Sequence, residues 1–158
     1  EKNKGWKFYN SDKRFIEGKL FGGSFEIMTT HLMYEKYLPK PEEIKGNILL
    51  LETAQEMPQS YWIDWVSMIL GERGLLDKFE AVIMGRPKTR YFEEKTIEER
   101  EKYRKEQKKK LKANMDRYAP STPVVFDFDF GHTEPISPMP IGGKIKIDTQ
   151  RQKAKLQY

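Results

Sequence analysis

Short unbroken apolar runs alternate along the chain with stretches whose apolar residues recur at helical spacing. Ile48-Leu49-Leu50-Leu51 has no polar interruption, the pattern of a strand covered on both faces. Phe79 to Met84 predicts a second buried strand, turned by Gly85-Arg86-Pro87. Pro123 to Phe130 predicts a third, with Val125, Asp127 and Asp129 alternating against Val124, Phe126, Phe128 and Phe130. That alternation puts Asp127 and Asp129 on the solvent side. Near the start, Trp6 to Tyr9 and Phe15 to Leu20 form short strands around a polar Asn10-Ser11-Asp12-Lys13 turn, and Gly22-Gly23 breaks the second.

Between the strands the period changes. Ser24 is placed to cap a helix carrying Phe25, Met28 and Leu32, which ends near Tyr37 and the Pro39-Lys40-Pro41 punctuation. Pro58 opens a second helix in which Trp62, Trp65, Val66 and Ile69 share a core-facing side, with Gly71 and Gly74 beyond its end. Thr96 and Glu99 have the spacing of a capping box at the head of a long charged helix, where Tyr103, Leu111, Met115 and Tyr118 supply the docking seam. Gly142-Gly143 and Lys144 to Gln157 close the chain with strand-like alternation, read as a hairpin. Strands alternate with helices through the middle and cluster at both ends, so the expected fold class is α/β with a mixed parallel and antiparallel sheet.

Composition narrows this further. The 158 residues are 37% hydrophobic and 34% charged, with three Trp, eight Tyr and nine Phe, which describes a folded domain rather than a disordered segment. No apolar run approaches the roughly 20 residues of a membrane span. The length suits one domain. A formal charge of +5 raises nucleic acid as a partner, but acids are mixed into the most basic stretch: ten basic and seven acidic residues lie between Glu93 and Arg117. Acids crowd the head of that helix and lysines its tail, the order the helix dipole favours, and no aromatics for base stacking interleave with Lys108-Lys109-Lys110-Lys112. A solvated helix is therefore favoured, with a basic nucleic-acid-binding α/β module as the alternative.

Cysteine is absent, which removes disulfides, thiolate metal sites and a Cys nucleophile and suits a reducing cytoplasm. His31 and His132 are the two imidazoles, so a metal site is not expected. The chain begins at Glu1 without a secretory pattern and is expected to be a piece excised from a longer protein.

Two residues are the candidates for chemistry. Glu52 follows the apolar run at 48–51, and His132 follows the strand at 123–130 with Gly131 freeing the turn; ligand sites gather at such carboxyl ends of strands. A carboxylate beside an imidazole is the orienting and proton-accepting half of a hydrolytic triad. Spacing alone does not make them neighbours, and a cap or surface role explains each singly. None of the six serines, at 11, 24, 60, 67, 121 and 137, sits in a Gly-x-Ser-x-Gly elbow. A purely structural dimerisation domain is a further alternative.

Gly22-Gly23-Ser24, the segment from Gly46-Asn47 through Leu51-Glu52-Thr53 with Glu56 and Pro58, and Gly131-His132-Thr133-Glu134-Pro135 together resemble the C-terminal domain of the LD-carboxypeptidase family of serine peptidases. Gly5-Trp6-Lys7-Phe8 and Leu51-Glu52-Thr53 resemble its microcin C self-immunity branch more than its murein-recycling branch. The resemblance implies a mixed-sheet β/β/α swivelling-type domain over 1–158, with the nucleophilic Ser on an N-terminal domain that this chain lacks. It further implies Glu52 and His132 as catalytic residues, no cofactor, homodimerisation of the parent and inactivity of this domain alone. Implied substrates are amides next to a carboxylate, in murein peptides or in peptidyl or aminoacyl nucleotides, with Arg86 and Arg90 as loose candidates to receive the anion; a structural role for both arginines is as good an account.

Overall fold

The run at 48–51 forms β3 (Ile48–Glu52), and all four aliphatic side chains of that run are excluded from solvent. Burial on that scale stabilises by roughly 1.5–3 kcal/mol per side chain and requires cover on both faces of the strand. The computed structural model describes residues 5–10, 12–90 and 95–158. Its other strands are β1 (Lys7–Tyr9), β2 (Phe15–Ser24), β4 (Ala81–Gly85), β5 (Val124–Phe128), β6 (Lys144–Asp148) and β7 (Lys153–Gln157). They form one sheet in the order β1-β5-β4-β3-β2-β6-β7. The four central strands β2 to β5 are parallel, and β1, β6 and β7 join antiparallel at the flanks. The fold is thus mixed α/β, as the alternation of periods indicates.

The helices are α1 (Phe25–Tyr34), a single turn α2 (Pro41–Ile44), α3 (Tyr61–Glu72) and α4 (Ile97–Tyr118). Phe25 and Met28 of α1, Ile63 and Val66 of α3, and Leu111 and Met115 of α4 cover one sheet face over Leu49, Leu51, Val82 and Met84. Among the described residues no helix packs on the opposite face. There Ile48, Leu50, Ile83 and Val125 pack against Ile16, Ile145 and Ile147 inside the curl of the sheet. Trp6 helps to close the curl. Its ring stacks on Phe128 at 4.5 Å between centroids, and its backbone N–H donates to Gln152 Oε1 in the β6–β7 turn at 3.1 Å, so the two ends of the sheet nearly meet.

Several expectations shift. Gly22-Gly23 does not break β2: both glycines pair in register with Leu50 and Leu51, and Gly22, at φ +135°, lies so close to the Leu50 backbone that a Cβ would not fit. The first helix stops at Tyr34 rather than near Tyr37, because Glu35 turns to φ +53° and Tyr37 to φ +60°. On α3 the buried side is Ile63, Val66, Ser67 and Leu70, so Trp65 stands outside, 46% exposed, against Tyr61 and Trp62. The helix begins three residues after Pro58, whose carbonyl accepts hydrogen bonds from Tyr103 and Gln107 instead.

Asp127 and Asp129 are not solvent-facing. Asp127 is paired with Lys108 and Asp129 with Arg86, and all four side chains are largely buried. The lysine run of α4 is accordingly a docking face. Lys110 reaches Asp64 of α3 at 2.8 Å, and Lys112 sits over the Tyr9 ring at 4.3 Å from its centroid. Asn114 adds hydrogen bonds to Asp64 and to Ser67 Oγ at 3.0 and 2.8 Å. These contacts tie the helix to α3, β1 and β5 and engage three of the four ammonium groups of the Lys108-Lys109-Lys110-Lys112 run. Thr96 and Glu99 form the expected capping box.

Leu50→Ala is expected to destabilise the chain by about 2–5 kcal/mol, and Lys109→Ala, on the outer side of α4, by less than about 0.5 kcal/mol. Urea unfolding monitored by tryptophan fluorescence checks both; a Leu50→Ala loss as small as that of Lys109→Ala would contradict the two-sided core.

Candidate active site

Parallel pairing of β2 to β5 gathers their carboxyl ends on one edge of the sheet. Glu52 is the last residue of β3. After β5 ends at Phe128, a tight turn held by Phe130 N–H donating to the Phe128 carbonyl leads to Gly131 and His132. His132 Nδ1 lies 2.7 Å from Glu52 Oε2, across 80 residues of sequence. The carboxylate is the sheltered partner: its side chain is 12% exposed against 40% for the imidazole. The opposite ring nitrogen, Nε2, has no partner among the described residues. Gly131 serves for two reasons: its φ is +95°, and a Cβ there would lie 2.5 Å from Glu52 Oε2.

Electrostatics sharpen the contrast within the pair. Burial pushes the Glu52 carboxyl above the ordinary glutamate range; the hydrogen bond and charge of His132 pull it back only in part, and the like charge of Glu26 adds to the rise. Glu26 stands in the first turn of α1, two residues past Ser24, the register partner of Glu52 on β2. Both its carboxylate oxygens are buried without a hydrogen bond, as is Thr53 Oγ1 beside Glu52. Burial, followed by the charge of Glu26, raises the Tyr103 phenol as well. Its O–H donates to the Pro58 carbonyl at 2.9 Å.

Two of the serines have other roles. Ser24 Oγ accepts from Ile27 N–H as the cap of α1, and Ser67 Oγ donates to the Ile63 carbonyl inside α3. Ser11 lies outside the described residues. Among the described residues no serine hydroxyl is bonded to His132, and no group of three or more His, Cys, Asp or Glu side chains could hold a metal ion. No described helix is long and apolar enough to cross a membrane.

A cleft of about 250 Å³ opens beside His132, between the chain leaving β4 and α4. Arg86 and Arg90 both line it, with Lys88, Thr89 and Arg104. Of these, Lys88, Thr89 and Arg104 were not legible as site residues from spacing. The Arg-Pro-Lys-Thr-Arg segment directly after a buried strand is the signal that could have found the first two. Arg104 is brought in only by the tertiary docking of α4.

Sheet order and strand-end geometry are those of a mixed α/β domain with its candidate site at the carboxyl ends of the parallel strands. The chain belongs to the LD-carboxypeptidase C-terminal domain family, whose model matches residues 17–147. It is similar in fold to an MccF-like protein from Streptococcus pneumoniae, solved in complex with AMP (22% identity, TM-score 0.74, covering 100% of this chain and 45% of that one). The microcin C7 self-immunity protein MccF, solved in complex with glutamyl sulfamoyl guanosine, is equally similar (22% identity, TM-score 0.73, 100% and 42%). A muramoyltetrapeptide carboxypeptidase from Oxalobacter formigenes matches at 24% identity and TM-score 0.64, covering 96% of this chain and 48% of that one. No curated protein matches. The chain thus spans less than half the length of these solved structures.

The raised Glu52 pKa means that the folded state holds this proton more tightly than the unfolded chain does. The resulting stabilisation is present below the ordinary glutamate range and is lost as pH rises through the higher folded value. Glu52→Gln, which cannot ionise, is therefore expected to raise Tm by roughly 1–4 °C at pH 8, with the difference closing towards pH 4. Calorimetry at the two pH values checks this, and equal Tm values at pH 8 would contradict it.

Proposed function

We propose that the chain is the C-terminal domain of a two-domain serine carboxypeptidase-type amide hydrolase, supplying Glu52 and His132 of a Ser-Glu-His triad and inactive alone. The observation that carries this reading is the 2.7 Å contact between the Glu52 carboxylate and His132 Nδ1, which leaves Nε2 as the ring nitrogen available to accept a proton. An imidazole held through Nδ1–H by a carboxylate is fixed in the tautomer whose Nε2 accepts a proton. The nucleophile belongs to the portion of the protein beyond this chain, consistent with its spanning only 42% to 48% of the solved structures it resembles.

In this mechanism His132 Nε2 takes the proton of the incoming serine as the serine attacks the amide carbonyl, and Glu52 stabilises the imidazolium. The proton then passes to the leaving amine. Water, activated by the same nitrogen, resolves the acyl-enzyme. Substrates of the proposed class are amides beside an anionic group, in peptidyl or aminoacyl nucleotides or in murein peptides. The MccF neighbours, solved with nucleotide-type ligands, support the first of these and a self-immunity role. A homodimeric parent in the cytoplasm completes the reading.

In the full-length protein, Glu52→Ala and His132→Ala are each expected to lower kcat by 10³-fold or more, on the order of a triad member's share, while this chain by itself shows no turnover. Steady-state assays on an aminoacyl sulfamoyl nucleoside and on an L,D-linked tetrapeptide check both statements. Normal turnover by the His132 variant would sink the assignment.

A further inference from the structure

The antiparallel part of the sheet, where β2, β6 and β7 pair, has one apolar and one strongly basic face. Period-two alternation turns Ile16, Ile145 and Ile147 into the curl. It turns Lys19, Lys144, Lys146, Lys153 and Lys155 outward, and all five are exposed. Pairing register sets these cations against one another. Lys19 is directly opposite Lys144 across β2 and β6, and Lys146 is directly opposite Lys155 across β6 and β7. Like charges opposed in this way destabilise a sheet. The two acids on the same face relieve little of the repulsion: Glu17 takes Lys146 at 3.0 Å, and Asp148 is turned to Arg14 at 3.7 Å and to the backbone N–H groups of Gln150 and Arg151. Lys19, Lys144, Lys153 and Lys155 have no acidic partner among the described residues.

The face also has relief and an aromatic surface. Two hollows of about 360 and 320 Å³ adjoin along it and share Lys146 and Lys155 in their walls. Phe15 lines the second of them. Its ring is 49% exposed although Arg14 and Lys146 approach it to 4.9 and 5.5 Å from the centroid. Lysines for phosphates and an open ring for a base are the two components of a surface for single-stranded nucleic acid. The lysine run of α4, engaged with other elements, lacks both in free form.

We propose that the outer face of β2, β6 and β7 binds single-stranded nucleic acid, with its lysines meeting phosphates and Phe15 receiving a base. The opposed lysine pairs are then the cost of a charge density that the bound polyanion neutralises. The shape of the sheet favours a flexible chain over a planar bilayer, because the basic face is the outside of the curl and a bilayer would meet it along one line only. Phe15 to Lys19 lie roughly 17–30 Å along β2 from Ser24, the register partner of Glu52, so the bound strand leaves the carboxyl-end edge free.

The test follows the fluorescence anisotropy of a fluorescein-labelled oligothymidylate of about 12 nucleotides titrated with this 158-residue chain. A dissociation constant of about 10⁻⁴ to 10⁻⁶ M near physiological salt is expected, and log K falls against log salt with a slope of roughly −3 for four phosphate contacts. Lys144→Gln/Lys155→Gln removes one member of each opposed pair. Binding is expected to weaken about tenfold or more while Tm holds or rises, which separates lost binding from lost folding. Lys105→Gln/Lys109→Gln, at exposed positions of α4, changes net charge equally and is expected to leave the constant within about twofold. Phe15→Ala is expected to weaken binding about fivefold or more with the salt slope unchanged. The proposal is overturned by an anisotropy that does not rise at about 1 mM chain, by equal weakening in the α4 variant, or by a Phe15→Ala variant that binds as the parent chain does. Binding to phosphatidylcholine–phosphatidylserine vesicles without binding to the oligonucleotide also overturns it and assigns the face to a lipid surface.

Discussion

Complete burial of β4 and of the aliphatic run 48–51 of β3 on both faces is the constraint from which the rest of the molecule follows. Strands with no polar residue to turn outward need two covers, and this chain makes them by different means. Helices α1, α3 and α4 close one side, while the sheet rolls over its other side until the Trp6 segment reaches the β6–β7 turn. Parallel strands in the middle require crossovers, and those crossovers are the helices that form the first cover. The same parallel pairing lines up the strand ends, so the packing that stabilises the fold also places Glu52 next to the chain that carries His132.

At that edge the demands of stability and chemistry separate. A carboxylate kept from water raises its own pKa, and the Glu26 charge makes matters worse, yet shelter keeps its bond to the imidazole from competition with solvent. Imidazole and carboxylate thus occupy unequal environments, the exposed ring facing the open side and the carboxylate behind it. The neighbouring cleft repeats the division: Arg86 is packed inward on Asp129, while Arg90 extends into solvent.

Much of the framework was readable because short-range pattern and long-range packing agree. The run at 48–51, the capping box at Thr96 and Glu99 and the apolar seam of α4 each have a local signature that the fold keeps. Failures occur where a partner overrides the local signal. Gly22-Gly23 looks like a break until Leu50 and Leu51 pair with it, and Asp127 and Asp129 look like solvent positions until Lys108 and Arg86 arrive from other elements. The α3 face was misphased because large aromatics suggest core, whereas Trp65 lies against Tyr61 and Trp62 on the outside. At the site, Glu52 and His132 were visible as strand-end residues, but their adjacency comes from sheet order, which no local spacing encodes. The part played by Arg104 depends on where a 22-residue helix docks and has no sequence signature of its own.

The β6–β7 hairpin gives the basic character of the chain a different meaning. β7 is the last strand of the sheet among the described residues, so one row of its backbone groups has no described strand beside it, and Lys153 and Lys155 stand exposed along it with Lys144 and Lys146 on the adjacent strand. An unprotected edge invites the edge of another molecule, and lysines on it make that approach repulsive. Positive charge here opposes the edge-to-edge approach of a like-charged copy in dilute salt. At about 1 M salt, where the screening length shrinks to about 3 Å, that protection fades and the open edge is left to its own hydrogen-bonding capacity.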